Sequence, residues 1–116
     1  MSSRRVLITG GARGIGKAIA LQYHQSGYDV VTPSREEMDL SSELSIQRFI
    51  DSQVGAGYDI LINNAAENIV SKLQMLSIED WKRMQTINLT APFILQFATK
   101  QMIDQQWGRC KYQFCL

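Results

Sequence analysis

Apolar positions along the chain alternate between short unbroken runs and repeats spaced by three or four. Val6-Leu7-Ile8 is such a run and predicts a buried strand over residues 5–9. Ile15, Ala18, Ile19 and Tyr23 then recur at i, i+3, i+4 and i+8. That spacing predicts a helix over 15–26 with those side chains inward, ended by Gly27 in a left-handed cap. Asp29-Val30-Val31-Thr32 predicts a second strand, stopped by Pro33. A strand, helix and strand this close together form a βαβ unit, which requires a parallel sheet and a right-handed crossover.

Residues 34–40 read as loop, or as a very short strand at Met38-Asp39-Leu40. Ser41 or Ser42 is placed to cap a helix running to about 53, with Ile46, Phe49 and Ile50 facing inward and Gly55-Ala56-Gly57 breaking it. Residues 58–63, apolar at Ile60-Leu61-Ile62, predict the next buried strand, and 65–76 read as loop. Ser77 caps a further helix, with Asp80 standing in for the capping-box glutamate. Helical pattern then continues to about 106, bent between Asn88 and Pro92. Phe93, Leu95, Phe97 and Met102, like Tyr23, Tyr28 and Tyr58, read as packing residues. With no repeat, low-complexity tract or linker, the expectation is one α/β domain.

Composition narrows the function. A chain of 116 residues with 45% hydrophobic and 20% charged residues suits a small globular domain. A net charge of +1 supplies no field to gather nucleic acid or an anionic membrane, so neither is an expected partner. No run approaches the roughly 18 apolar residues of a membrane span. Cys110 and Cys115 imply no disulfide framework, and the expected compartment is the cytoplasm. His24 stands alone and cannot build a metal site, so no metal is expected.

The chemistry is concentrated in Thr9-Gly10-Gly11-Ala12-Arg13-Gly14-Ile15-Gly16, between the first strand and the first helix. Glycines permit a tight turn, and a helix start behind them offers free N–H groups and a positive dipole end to a phosphate. Three readings fit: an ordinary strand-to-helix turn, a P-loop, or a dinucleotide site. Gly11 to Lys17 matches G-x-x-x-x-G-K, but Ala18 stands where a metal-binding hydroxyl is needed, and Asn63-Asn64 offers no acidic residue to help hold that metal.

The same eight residues resemble the TGxxxGIG fingerprint of the short-chain dehydrogenases/reductases. Asn63-Asn64-Ala65-Ala66 resembles that family's NNAG, with Ala66 in place of glycine. Asn88, seven residues after Trp81, resembles its helical asparagine. The resemblance covers about residues 4–109, the first half of a family member. It implies a Rossmann-type, doubly wound parallel sheet, truncated after the helix that follows the NNA-type strand, and a nicotinamide cofactor. It implies that Gly10, Gly14, Ile15 and Gly16 line the pyrophosphate, that Asn64, Ala65 and Ala66 pass the adenosine ribose, and that Asp39-Leu40 holds the adenine. Asn88 is the one catalytic-group member present, in a supporting role. The implied reaction is hydride transfer between nicotinamide and a small-molecule carbonyl or secondary alcohol, in a parent that is a homo-oligomer whose interface takes some of the apolar surface of the helix carrying Phe93, Leu95, Phe97 and Met102. The alternative is a non-catalytic nucleotide-binding remnant or regulator.

Charge bears on which cofactor. Arg35 follows the second strand, where NAD-binding proteins favour an acidic residue, and Arg13 sits in the glycine turn. Two guanidiniums suit a 2′-phosphate, so NADP is preferred over NAD, unless Arg35 merely answers Glu36 and Glu37. The interval from Arg35 to Asp39 is shorter than the family's, as though a helix and most of a strand were pared away.

The family's catalytic serine and Tyr-x-x-x-Lys do not occur in these residues, so turnover by this chain alone is not expected. After Arg109 the family continues with a strand such as Ile-Val-Asn-Ile-Ser-Ser. One coding string for that strand, ATT GTA AAT ATC AGT TCT GTC, read from its third base, gives Cys-Lys-Tyr-Gln-Phe-Cys, the residues found from Cys110 to Cys115. Residues 1–109 are therefore read as the N-terminal part of the domain and 110–116 as an out-of-frame tail. Without later strands, the strand over 58–63 is expected to be an exposed edge and the long helix to keep an uncovered apolar face.

Overall fold

The computed structural model describes residues 3–53 and 57–112. β1 (Arg5–Ile8), α1 (Gly14–Gln25) and β2 (Asp29–Val31) form the first βαβ unit, followed by α2 (Glu43–Ser52) and β3 (Ile60–Asn63). A 3₁₀ turn (Leu73–Met75) leads to α3 (Ile78–Gln85), a π turn (Thr86–Thr90), α4 (Ala91–Leu95), a second 3₁₀ turn (Gln96–Thr99), α5 (Lys100–Asp104) and β4 (Arg109–Tyr112). The strands pair in parallel in the order β2-β1-β3-β4.

Strand alternation sorts the core into two layers. Leu7 and Leu61 point to one face, where Ile46 and Phe49 of α2, Ala91 and Leu95 of α4, and Met102 of α5 cover them. Val6, Ile8, Ile60 and Ile62 point to the other, beneath Ile19, Ala20 and Tyr23 of α1. Helices on both faces make the sheet doubly wound, as expected. Ser42 and Ser77 cap α2 and α3, their hydroxyls accepting from the N–H groups of Ser45 (3.2 Å) and Asp80 (3.0 Å). Gly27 follows α1 at φ +88°. Of the predicted Gly55-Ala56-Gly57 break, only Gly57 lies among the described residues.

Three expectations need correction, and one open alternative is decided. The buried side of α1 is not the one containing Ile15 and Ala18, which are exposed. Gly16 is buried against the Gly10 carbonyl and the Asn64 amide, and Ile19, Ala20 and Tyr23, which pack on the sheet, follow it at i+3, i+4 and i+7. Of the two readings of residues 34–40 the loop holds: Met38-Asp39-Leu40 forms no strand and is anchored by the buried Met38 side chain. Phe93 and Phe97 do not pack inward. They stack edge to face (5.9 Å) on the outer side of the helix, 62% and 64% exposed, while Leu95 and Met102 are buried. Finally, β3 is not an edge, because Arg109 to Tyr112 pair with Ile60 to Asn63 as β4. Ladder hydrogen bonds are made by backbone, so these residues extend the sheet whatever side chains they carry.

The helical interruption falls where the bend was expected. Thr86–Thr90 widens into a single π turn just before Pro92, whose missing N–H cannot continue the regular ladder.

Candidate nucleotide site

Strand order reverses between β1 and β3, β2 lying on one side of β1 and β3 on the other. Their C-terminal ends splay the following loops apart and leave a crevice, the place where open α/β sheets hold ligands. Into it run the turn after β1, the loop after β2 and the segment after β3.

The turn after β1 is bolted to the end of β3. Thr9 is 3% exposed; its N–H donates to the Ile62 carbonyl (3.1 Å), and its Oγ1 accepts from the N–H groups of Asn64 (3.1 Å) and Ala65 (3.0 Å). Asn64 Nδ2 donates to the carbonyls of Thr9 (3.1 Å) and Gly10 (3.2 Å). Gly10 takes φ +67° and Gly14 φ +58°, conformations that a side chain resists. Gly16 serves a different purpose. A Cβ there would overlap the Gly10 carbonyl and the Asn64 amide, whereas above Gly14 there is open space.

Arg13 stands at the N-cap of α1 without a side-chain cap bond, and the first turn holds no acidic residue, unlike the serine-capped α2 and α3. Its leading N–H groups and positive dipole end are therefore left for an acceptor from outside the chain.

Beside the turn is a cavity of about 240 Å³. Gly10, Arg35, Asp39, Leu40, Ala65 and Ala66 line it, together with Ser34, Glu67 and Arg83. Arg13, Gly14 and Ile15 do not; they are exposed on the outer side of the turn. Gly16 and Asn64 lie beneath it as support. Asn88 also stands off the cavity and holds one wall: Glu67 N–H donates to Asn88 Oδ1 (2.9 Å), and Asn88 Nδ2 donates to the Glu67 carbonyl (2.7 Å). The π turn carries Asn88 and so sets that reach.

Asp39 Oδ1 accepts from the hydroxyl (2.6 Å) and N–H (2.9 Å) of Ser41, which hold its carboxyl below the ordinary carboxylate range, with Arg35 and Arg83 adding to the effect. Glu37 is lowered by the N–H and hydroxyl of Ser34. Neither Glu36 nor Glu37 forms an ion pair with Arg35 among the described residues, so Arg35 is not spent on its neighbours. Glu67 and Arg83 were not singled out from the sequence. They pair across 16 residues, loop to helix, with no motif to flag them.

The asparagine beside Asn64 behaves otherwise. The Asn63 side chain is buried at the end of β3 with no hydrogen-bond partner among the described residues. No helix among the described residues is long and apolar enough to cross a membrane.

A doubly wound parallel sheet with a glycine turn and an uncapped helix at its switch point defines a Rossmann-type α/β protein. A profile described as short chain dehydrogenase matches residues 4–48 and 37–110, and the chain belongs to that family. It is 31% identical over 128 residues to a 3-oxoacyl-[acyl-carrier-protein] reductase of Aquifex aeolicus, covering 89% of this chain and 52% of that protein. Similarity to an uncharacterized oxidoreductase of Thermotoga maritima is 29% over 132 residues, covering 93% and 52%. The chain thus spans about half the length of the curated relatives it matches. In fold it is similar to a 4-hydroxyisoleucine dehydrogenase complexed with NADH (TM-score 0.85, 24% identity, 93% of this chain and 54% of that one). It is also similar to a metagenomic short-chain oxidoreductase in complex with NADP (TM-score 0.73, 23% identity, 94% and 60%).

Proposed function

We propose that these residues form the cofactor-binding half of an NAD(P)-dependent oxidoreductase acting on a small-molecule carbonyl or secondary alcohol. One observation carries the reading: α1 starts uncapped at a turn whose Gly14 has φ +58° and open space above it, beside a cavity walled by Arg35 and Asp39. A capped helix start would need no anion; this one leaves donors for it.

In this reading the N–H groups from Gly10 to Gly16, Ile15 included, hold the pyrophosphate, with Gly16 letting the helix approach. Ala65 and Ala66 border the adenosine ribose, and Asp39 with Leu40 holds the adenine. Arg35 meets a ribose 2′-phosphate, which favours NADP over NAD, and Arg13 adds positive charge from the outer side of the turn. The nicotinamide supplies or accepts the hydride. Asn88 supports the site by fixing Glu67. The exposed stripe Leu89, Phe93 and Phe97, at i, i+4 and i+8, is offered as an interface between copies of the parent.

Isothermal titration of the chain with NADPH and NADH tests the reading without needing turnover. Saturable binding at one site, tighter for NADPH, is expected. Equal affinities would remove the NADP preference, and no binding of either would overturn the site.

A further inference from the structure

The cavity contains an ion pair that the reading above leaves without a role. Arg83 Nε donates to both carboxylate oxygens of Glu67, at 2.8 and 3.1 Å, with the two side chains 35% and 32% exposed. Glu67 is itself pinned through its backbone by Asn88, and from that anchored position its carboxylate engages the guanidinium through both oxygens. Nε carries a single hydrogen, and the pair therefore consumes one of the five Arg83 donors. The terminal nitrogens have no acceptor among the described residues. Arg35 lines the same cavity, and Asp39 feels the charge of both guanidiniums, though its Oδ1 is already engaged by Ser41.

We propose that Arg83, aimed by Glu67, is a second guanidinium of this pocket, and that the pair sets its preference for a phosphomonoester on the nucleotide ribose. The inference rests on the dinucleotide reading. Glu67 contributes in two opposing ways: it fixes the guanidinium, and it offsets part of the charge. A glutamine at that position keeps an acceptor for Nε while removing the offset. Loss of Arg83 removes both the charge and the planar fork that matches a phosphate.

The test is calorimetric titration of the chain with 2′,5′-ADP and with 5′-AMP, which differ by the 2′-phosphate alone. Arg83→Met is expected to lower the ratio of the two affinities by about tenfold, and Arg83→Lys by less. Glu67→Gln, nearly isosteric and the safeguard should Arg83→Met fold poorly, is expected to raise the ratio by about threefold. Two results overturn the proposal while leaving the site intact: ratios unchanged in the variants, or equal weakening of both nucleotides, the signature of a purely structural pin. If the unaltered chain binds neither nucleotide, the dinucleotide reading fails and this inference falls with it.

Discussion

The turn between β1 and α1 is fixed by distant contacts, whereas the loop over 33–41 is fixed by its own neighbours. Thr9 and Gly10 bond to Ile62, Asn64 and Ala65, more than 50 residues away, and a buried glycine seals the junction. In the loop, Ser34 and Glu37 exchange bonds of 3.0 and 3.2 Å, Asp39 N–H donates to Ser45 Oγ, and Ser41 donates to Asp39. Met38 is its one fully buried anchor among the described residues. The two walls of one crevice therefore differ in what they tolerate. The turn is part of the fold and cannot be rewritten alone. The loop can vary with little cost to the sheet, which suits the wall that would distinguish one nucleotide from another.

That difference can be broken most severely at Gly16. Gly16→Val should force the Gly10 carbonyl and Asn64 apart, lowering stability by about 3 kcal/mol in urea unfolding, whereas Ser34→Ala should change it by under about 0.5 kcal/mol. Comparable losses would mean that the loop is as integral as the turn. Thr9→Val should be next in size. It strands the N–H groups of Asn64 and Ala65 near a buried site, a cost of about 2 kcal/mol in the same assay.

A smaller effect is expected from Asp39 as pH falls. Its folded pKa is depressed, chiefly by Ser41, so the stability it contributes is full above the unfolded value near 4 and is lost as pH drops through the lower folded value. Acid titration of the melting temperature should show this loss below about pH 4 and a weaker one in Ser41→Ala. Identical profiles would remove Ser41 as the cause. Asn63→Leu is expected to move stability least, within about 1 kcal/mol and toward gain, because it removes a buried amide with no hydrogen-bond partner among the described residues. A large loss on thermal unfolding would show that Asn63 has a partner after all.

The turn was legible because glycine spacing records backbone geometry directly: Gly10, Gly14 and Gly16 each answer a positive φ or a close approach. Ser42, Ser77 and the break before Pro92 were legible for the same local reason. What escaped was set by tertiary geometry. The inward face of α1 goes with Gly16, buried against the Gly10 carbonyl and Asn64, and not with every apolar residue of the repeat: Ile15 and Ala18 are exposed. Phe93 of α4 and Phe97 of the 3₁₀ turn after it are as apolar as Leu95 but exposed, while Leu95 is buried. Asp59 bonds to Arg5 N–H at 2.7 Å and to Gln105 Nε2 at 2.9 Å, tying β1, β3 and the end of α5 together across 54 and 46 residues, with no motif to announce it. Of the candidate site, the backbone cradle and the Asp39 wall could be read from sequence, and the Glu67–Arg83 wall could not.

Amide chemical-shift mapping by heteronuclear NMR, with NADPH titrated into the chain, tests the central claim most directly. Binding in the crevice predicts shifts confined to four segments: Gly10 to Gly16, residues 34–41, Asn64 to Glu67, and the helical stretch around Arg83 and Ile87. Shifts centred elsewhere, or none at saturating cofactor, would contradict a nucleotide site built on the glycine turn.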